Sequence, residues 1–233
     1  MKMKANNDFL ANLPKNCIAD ENSNCVECEI EGELICFVDK RFANKFTIGN
    51  IIYRLLAVTI YVLTGLLFGQ WWMLITYTII VLLTFLIIEP RLLCSHCPYY
   101  EKEGKFLRCW ALRGMPKLWK YRPEPISNTE KYVMLTIGAF IDLFPFIGFI
   151  WGIIYFALNF EENLVLGVSL IVVSILFLIV VGYFSKVLLG NACKKCANFS
   201  CGMNKVPKEI INQFLEKNPK MKESWLVCGW KMR

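Results

Sequence analysis

Four long hydrophobic runs constrain the fold of this chain more than any other feature of its sequence. A helix needs about 20 apolar residues to cross a hydrocarbon core about 30 Å thick, and each run is close to that length or longer. Hydrophobic residues make up 56% of the 233 residues, against roughly 45–50% in a soluble domain. The runs cover residues 48–68, 71–88, 132–160 and 163–189. The sequence therefore predicts an all-α integral membrane protein with four transmembrane helices.

Two short breaks group the runs into pairs. Gly69-Gln70 separates the first run from the second, and Glu161-Glu162 separates the third from the fourth. Breaks of this length predict two antiparallel hairpins. The expected organisation is an N-terminal segment (1–47), a first hairpin (48–89), a central segment (90–131), a second hairpin (132–190) and a C-terminal tail (191–233).

The positive charges predict the orientation of the hairpins. Lys and Arg number six in residues 1–49, nine in residues 90–131 and ten in residues 186–233, and the two hairpin turns have none. Because cytoplasmic loops are enriched in Lys and Arg, we expect a multi-pass protein of the cell membrane with both termini cytoplasmic. The net charge of +7 then follows from topology and contact with the lipid bilayer, and no nucleic-acid partner is expected.

Eleven cysteines all lie outside the hydrophobic runs, on the predicted cytoplasmic side. Thiols stay reduced in the cytosol, so C-x2-C pairs there indicate metal or redox sites before disulfides. In the N-terminal segment the spacing is C-x7-C-x2-C-x7-C, and four thiolates are what a tetrahedral zinc or a four-iron cluster requires. These residues are Cys17, Cys25, Cys28 and Cys36. The alternative is four unligated thiols in a flexible acidic arm.

Each predicted hairpin is followed by what we call a cysteine knuckle, a C-x2-C pair with a third cysteine and then a Pro-Lys dipeptide. The first knuckle contains Cys94, Cys97 and Cys109, and the second contains Cys193, Cys196 and Cys201. A C-x2-C turn directs two sulfurs to one metal. A hairpin followed by a knuckle occurs twice along the chain, with the same orientation each time. This repetition predicts a parallel 2+2 repeat in which the two knuckles lie side by side. An amphipathic helix is expected over residues 207–217 of the tail.

Four single residues are also candidates for the site or its surroundings. Asp142 lies about 15 Å into the third run, where an ionisable group indicates a functional site by default. The alternative is a protonated carboxyl bonded to a Thr or Ser of a neighbouring helix. Arg54 is expected to anchor its helix by reaching the lipid head groups. His96 lies inside a C-x2-C pair, where ligation beside both cysteines would be strained, and Cys228 is either a fourth ligand of the second knuckle or a lone thiol.

The absence of histidine from the membrane runs excludes several chemistries. It rules out a bis-histidine haem, a Ser-His nucleophile and a histidine metalloprotease site.

One C-x2-C pair, Cys94 and Cys97 followed by Pro98, comes after the second membrane helix, and another pair comes after the fourth. This arrangement resembles the four-helix membrane ferredoxins that accompany periplasmic nitrate reductase. The likeness covers helix count and pair positions. Those proteins use C-x3-C-P and add a soluble two-cluster module, whereas this chain has C-x2-C, Ala197 after the second pair and no such module. It implies quinol-linked electron transfer, with a redox protein or a quinone as partner.

The sequence therefore favours a membrane-bound, cysteine-rich metal-binding protein that carries cytoplasmic iron–sulfur clusters for electron transfer. Two alternatives remain open. One is a zinc-stabilised membrane scaffold or assembly factor. The other is a soft-metal transporter or chaperone in which cysteine pairs pass a cation toward Asp142.

Overall fold

The computed structural model describes residues 13–20, 23, 28–159 and 164–232, which contain the helices that follow. Four helices are long and apolar enough to cross a membrane: α1 (Lys40–Phe68), α2 (Trp72–His96), α4 (Asn128–Leu158) and α5 (Leu164–Lys195). Shorter helices are α3 (Pro98–Glu101), α6 (Lys208–Glu216) and α7 (Pro219–Val227). The predicted all-α membrane class with four candidate spans is confirmed.

Local sequence signals explain where the long helices begin and end. The side chain of Asp39 accepts a hydrogen bond from the backbone N–H of Arg41 at 2.8 Å, which caps α1. Gly69 ends α1 in the left-handed conformation at φ +68°, which glycine adopts without a Cβ clash. α4 begins with a capping box in which Ser127 and Glu130 satisfy each other's backbone N–H groups. Since α1 and α4 start several polar residues before their apolar runs, both helices extend beyond the hydrocarbon core.

The membrane-spanning helices pack around α1, which contacts each of the other three. The most extensive contact between spans is that of α1 with α5, the first and fourth spans. These two helices belong to different predicted hairpins. Small residues allow close approach, because a Cβ added at Gly148 of α4 would lie 2.8 Å from the ring of Tyr61. This arrangement does not test the parallel repeat, which stays a prediction.

Two of the spans contain π-helical turns. In α2 the turn covers Thr84–Ile88, and in α5 it covers Leu188–Ala192. Each lies shortly before the cysteine pair that its helix carries. Because a π turn accommodates an extra residue, it changes which face the following residues present.

The N-terminal segment, the central segment and the tail form one compact layer at one end of the helices, which we call the cap. Its core joins residues from all three segments, including Ile30, Tyr99 and Phe214. Hydrogen bonds tie the same segments together: Ile35 N–H donates to Lys195 O at 2.7 Å, and Trp225 Nε1–H donates to Pro123 O at 3.1 Å. The predicted amphipathic helix is present as α6, and its apolar face packs into this core. The ends of the described chain and the central segment therefore lie on one side, which we predict to be cytoplasmic.

Candidate functional site: a cavity lined by both cysteine knuckles

A cavity of about 320 Å³ lies where the cap meets the membrane-spanning helices. The predicted ligands of both knuckles line it: Cys94, Cys97, Cys109, Cys193, Cys196 and Cys201. All six are thiols rather than disulfides. The structure thus brings six of the ten predicted cysteine ligands to one place.

The ends of α2 and α5 position the C-x2-C pairs. Cys94 lies in the 3₁₀ turn that ends α2, and the backbone N–H of Cys97 donates to Cys94 O at 2.9 Å. Pro98 then starts α3, since its fixed φ suits the first turn of a helix. In the second knuckle the backbone N–H of Lys205 donates to Cys193 O at 2.9 Å, which folds the chain back over the pair.

The two knuckles contact each other directly. The side-chain amide of Asn198, two residues after Cys196, donates to Leu93 O at 3.3 Å, just before Cys94. Ser200 Oγ accepts a hydrogen bond at 3.3 Å from the backbone N–H of Ile126 in the central segment. The knuckles are therefore neighbours within one site.

The cysteine sulfurs are not arranged for a single metal ion. Among the described residues, no three His, Cys, Asp or Glu side chains are grouped closely enough to hold one. Tetrahedral zinc with bonds of about 2.3 Å would place its sulfurs about 3.8 Å apart. The described side chains therefore form no preassembled site for a single ion.

Burial favours the protonated thiol over the thiolate at Cys97, Cys196 and Cys201. It raises the pKa of Cys97 well above the usual value, and the neighbouring sulfurs of Cys196 and Cys109 raise it further. Burial raises the pKa of Cys196 to about 12, against an opposing hydrogen bond from the Asn198 backbone. The pKa of Cys201 is also raised, chiefly by burial. Thiolates form here at neutral pH only if a positive charge replaces the protons.

The same cavity reaches a polar cluster between the membrane helices. Tyr53 O–H donates to Asp142 Oδ1 at 2.9 Å, and Arg54 Nη1 lies 3.8 Å from the same oxygen. Arg54 also donates to the hydroxyl of Tyr77 at 3.2 Å. Asp142 therefore has Tyr and Arg partners in place of the expected Thr or Ser.

The expectation that Arg54 reaches the lipid head groups is wrong. Its side chain is only 21% exposed and its guanidinium lies 4.5 Å from the centre of the Tyr53 ring. Its partners are the Asp142 carboxylate, whose side chain is 63% exposed, and the faces of the Tyr53 and Phe85 rings. Arg54 is consequently part of the cavity wall.

Two groups on the cavity wall were not predicted from the sequence. Glu89 lies at the end of the second hydrophobic run, where it looked like a boundary residue, five positions before Cys94. Thr84 Oγ1 is buried on the same wall, and like Arg54 Nε it has no hydrogen-bond partner among the described residues. Glu89 directly precedes Pro90 and the first knuckle, and that proximity was the signal that could have identified it.

The remaining candidates lie away from the cavity. Cys17 Sγ accepts a hydrogen bond from Asn218 Nδ2 at 3.4 Å, and Cys28 Sγ accepts one from Lys217 Nζ at 3.7 Å. Cys36 packs against the cap core with them, and Cys25 lies outside the described residues.

His96 and Cys228 also stand apart from the thiols that line the cavity. His96 is buried, and its Nδ1 lies 2.6 Å from Glu124 O. Cys228 is exposed at the end of α7. The structure gives neither residue a place on the cavity wall.

The chain matches no family model, no curated protein and no solved structure.

Proposed function

We propose that this chain is a membrane-bound electron-transfer protein whose two knuckles together hold an iron–sulfur cluster. The observation that supports the proposal is the shared cavity: six thiols from both knuckles line about 320 Å³. Iron–sulfur clusters are held by cysteine thiolates, commonly four of them. When bound, the cluster would supply one-electron transfer at the end of the membrane helices.

The number of thiols on the cavity wall and the lack of a single-ion group among the described residues favour a cluster over a single ion. A cluster places iron and sulfide between the cysteine sulfurs, so its ligands stand further apart than the ligands of one zinc ion. That agrees with a wide cavity in which the described side chains form no group fit for one ion. A zinc-stabilised scaffold is the alternative, and it would require both knuckles to close inward.

A soft-metal transporter is less well supported. That function would need Asp142 to receive a cation from the cysteines. Its carboxylate already accepts a hydrogen bond from Tyr53, and the positive charge of Arg54 lies 3.8 Å away. Arg54 would repel an arriving cation, so Asp142 is a poor acceptor.

Metal analysis of purified protein tests the proposal. Protein purified in detergent without oxygen should contain iron and acid-labile sulfide and absorb visible light. Cys97→Ser and Cys196→Ser should each lower the iron content of the whole site, because both sulfurs line one cavity. Each change should also lower the melting temperature, since bound metal stabilises the folded state.

Cys228→Ser is the matched control, because Cys228 is exposed and does not line the cavity. Its iron content should equal that of the wild type. Zinc without iron would favour the scaffold. Losses that add strictly in the double variant would argue for two independent sites, and unchanged metal in both single variants would reject the ligand assignment.

A further inference from the structure

Residues 105–120 of the central segment form a hairpin that we call the basic hairpin. The backbone N–H of Leu107 donates to Met115 O at 2.8 Å. Two residues earlier on one arm and two residues later on the other, the backbone N–H of Lys117 donates to Lys105 O, also at 2.8 Å. The two arms therefore pair antiparallel, and the hairpin is an ordered part of the cap.

The basic hairpin carries positive charge and no carboxylate. Its cations are Lys105, Arg108, Arg113, Lys117 and Lys120. All of them except Lys117 are exposed, and none belongs to an ion pair in the described part of the chain. The two carboxylates just before the hairpin, those of Glu101 and Glu103, pair with lysines outside it. The hairpin therefore presents cations to its surroundings without a counter-charge of its own.

Large apolar side chains are exposed beside these cations. Phe106 is 57% exposed and Leu118 is 62% exposed. Leu107 is buried, and successive side chains of an extended arm point to opposite faces, so Phe106 lies on the outer face of the hairpin. Lysine and arginine next to exposed Phe and Leu are the composition of segments that lie in a membrane interface.

Trp110 fixes the level of the basic hairpin relative to the membrane. Its buried ring has its centre 4.8 Å from that of Phe46 and 5.7 Å from that of Phe42, both in α1. The apolar run of α1 begins at residue 48, so Phe46 and Phe42 precede it by about 3 and 9 Å at 1.5 Å per residue. The head-group layer is about 5–8 Å thick on each side of the hydrocarbon core. The hairpin is therefore level with the lipid head groups.

We propose that the basic hairpin is a binding site for anionic phospholipids of the leaflet around the cap. A lipid phosphate offers the acceptor oxygens that the guanidinium groups of Arg108 and Arg113 bind with paired N–H donors. Phe106 and Leu118 enter the boundary between head groups and acyl chains. We predict this side of the membrane to be cytoplasmic, and the cytoplasmic leaflet is rich in anionic lipid.

An acidic protein is the competing occupant of the same surface. It would satisfy the cations, but it would have to displace the head groups that lie at the level of the hairpin. The exposed side chains of Phe106 and Leu118 also match the apolar edge of the head-group layer better than an acidic surface. Lipid is therefore the favoured occupant, and it does not depend on the proposed metal-binding function.

Lipid selectivity of the full chain tests the proposal. The protein is reconstituted in phosphatidylcholine vesicles with a trace of acyl-labelled dansyl phosphatidylserine or dansyl phosphatidylcholine, and energy transfer from tryptophan measures the lipid in contact. Wild-type protein should prefer phosphatidylserine, and salt should reduce the preference. In the double variant Lys105→Gln/Arg108→Gln the preference should fall about fivefold for each cation lost.

Phe106→Trp tests the position of the apolar face. The emission added by the new tryptophan should be quenched by phosphatidylcholine brominated on its acyl chain. Quenching of that emission by aqueous iodide instead would place Phe106 outside the interface and overturn its proposed role.

Lys208→Gln/Lys231→Gln is the matched control, because it removes two exposed cations from the tail. Its preference for phosphatidylserine should match that of the wild type. An equal loss in both double variants would mean that net charge alone sets the preference and would overturn the site. Lys105→Arg/Arg108→Lys keeps both charges and should keep the preference, which separates loss of charge from loss of folding.

Two further results would overturn the proposal. One is wild-type protein that does not distinguish phosphatidylserine from phosphatidylcholine. The other is binding of polyglutamate that depends on Lys105 and Arg108 in protein without lipid preference, which would assign the surface to an acidic protein. Neither result bears on the metal content, so this proposal and the proposed function fail independently.

Discussion

At the scale of single residues, Gly167 marks the tightest approach between two spans. A Cβ at this position in α5 would lie 2.0 Å from Cδ2 of the buried Phe156 ring in α4. Gly167→Ala should therefore destabilise the protein by about 1–3 kcal/mol, because the ring must move within a packed interface. The thermal melting temperature in detergent measures this loss.

Gly182 provides the control within the same helix, since a Cβ there would meet nothing within 4 Å. Gly182→Ala should leave the melting temperature unchanged or raise it slightly, as alanine is the better helix former. Equal melting temperatures for the two alanine variants would contradict the close packing of α4 on α5.

At the scale of the elements, the π-helical turn Thr84–Ile88 sets the direction of the residues that follow it in α2. Insertion of one alanine after Leu86 should add a further residue to the turn and rotate the residues that follow it, Cys94 included, by about 100° relative to the start of α2, since an α-helix has 3.6 residues per turn. We expect metal binding to be lost while helix content by circular dichroism is retained.

Leu86→Ala is the comparison for the insertion, because it changes an exposed side chain and keeps the length of the helix. It should bind as much metal as the wild type. An insertion variant with full metal content would show that the register of α2 does not position the site.

The spans were predictable and their π turns were not, for one physical reason. Apolar length is a local property, so the hydrophobic runs predicted four spans and Gly69 marked the end of α1. A change of helical register can be recognised in a sequence only where polar and apolar positions alternate, and residues 84–88 are almost entirely apolar. The place of Glu89 on the cavity wall depends on that register, and its position just before the first knuckle was the only local sign of it.

At the scale of the whole molecule, Glu101 joins the three segments of the cap. Its Oε1 accepts from Lys220 Nζ in the tail at 2.6 Å, and its Oε2 accepts from the backbone N–H of Asn16 at 2.9 Å. Only 8% of the Glu101 side chain is exposed. Glu101→Ala should destabilise the cap by about 3 kcal/mol, because it leaves a largely buried Lys220 without its partner. Hydrogen exchange of residues 13–20 should speed up in the variant.

Glu103 is the matched control two residues away. It is 81% exposed and pairs with Lys15 at the surface, where an ion pair contributes little to stability. Glu103→Ala should leave hydrogen exchange almost unchanged. Similar acceleration in both variants would refute a specific role for Glu101 in joining the segments.

The sequence indicated which residues form the site better than it indicated how they meet. The C-x2-C spacing identified the cysteines of the cavity, because that spacing is a local requirement of a tight turn. The partners of Asp142 could not be found in the same way, since Tyr53 lies 89 residues away and no local pattern joins them. The N-terminal cysteines were grouped by spacing, yet the sulfurs of Cys17 and Cys28 contact Asn218 and Lys217 of the tail.

The contact between Cys17 and Asn218 also imposes an order in time. The backbone N–H of Cys17 donates to Asn218 Oδ1 at 2.6 Å across 201 positions of the chain. During synthesis the ribosome must therefore release the tail before the cap can close, and the second knuckle emerges only after the fourth span. The cavity is thus completed late in translation, and delivery of the proposed cluster would follow the synthesis of all four spans.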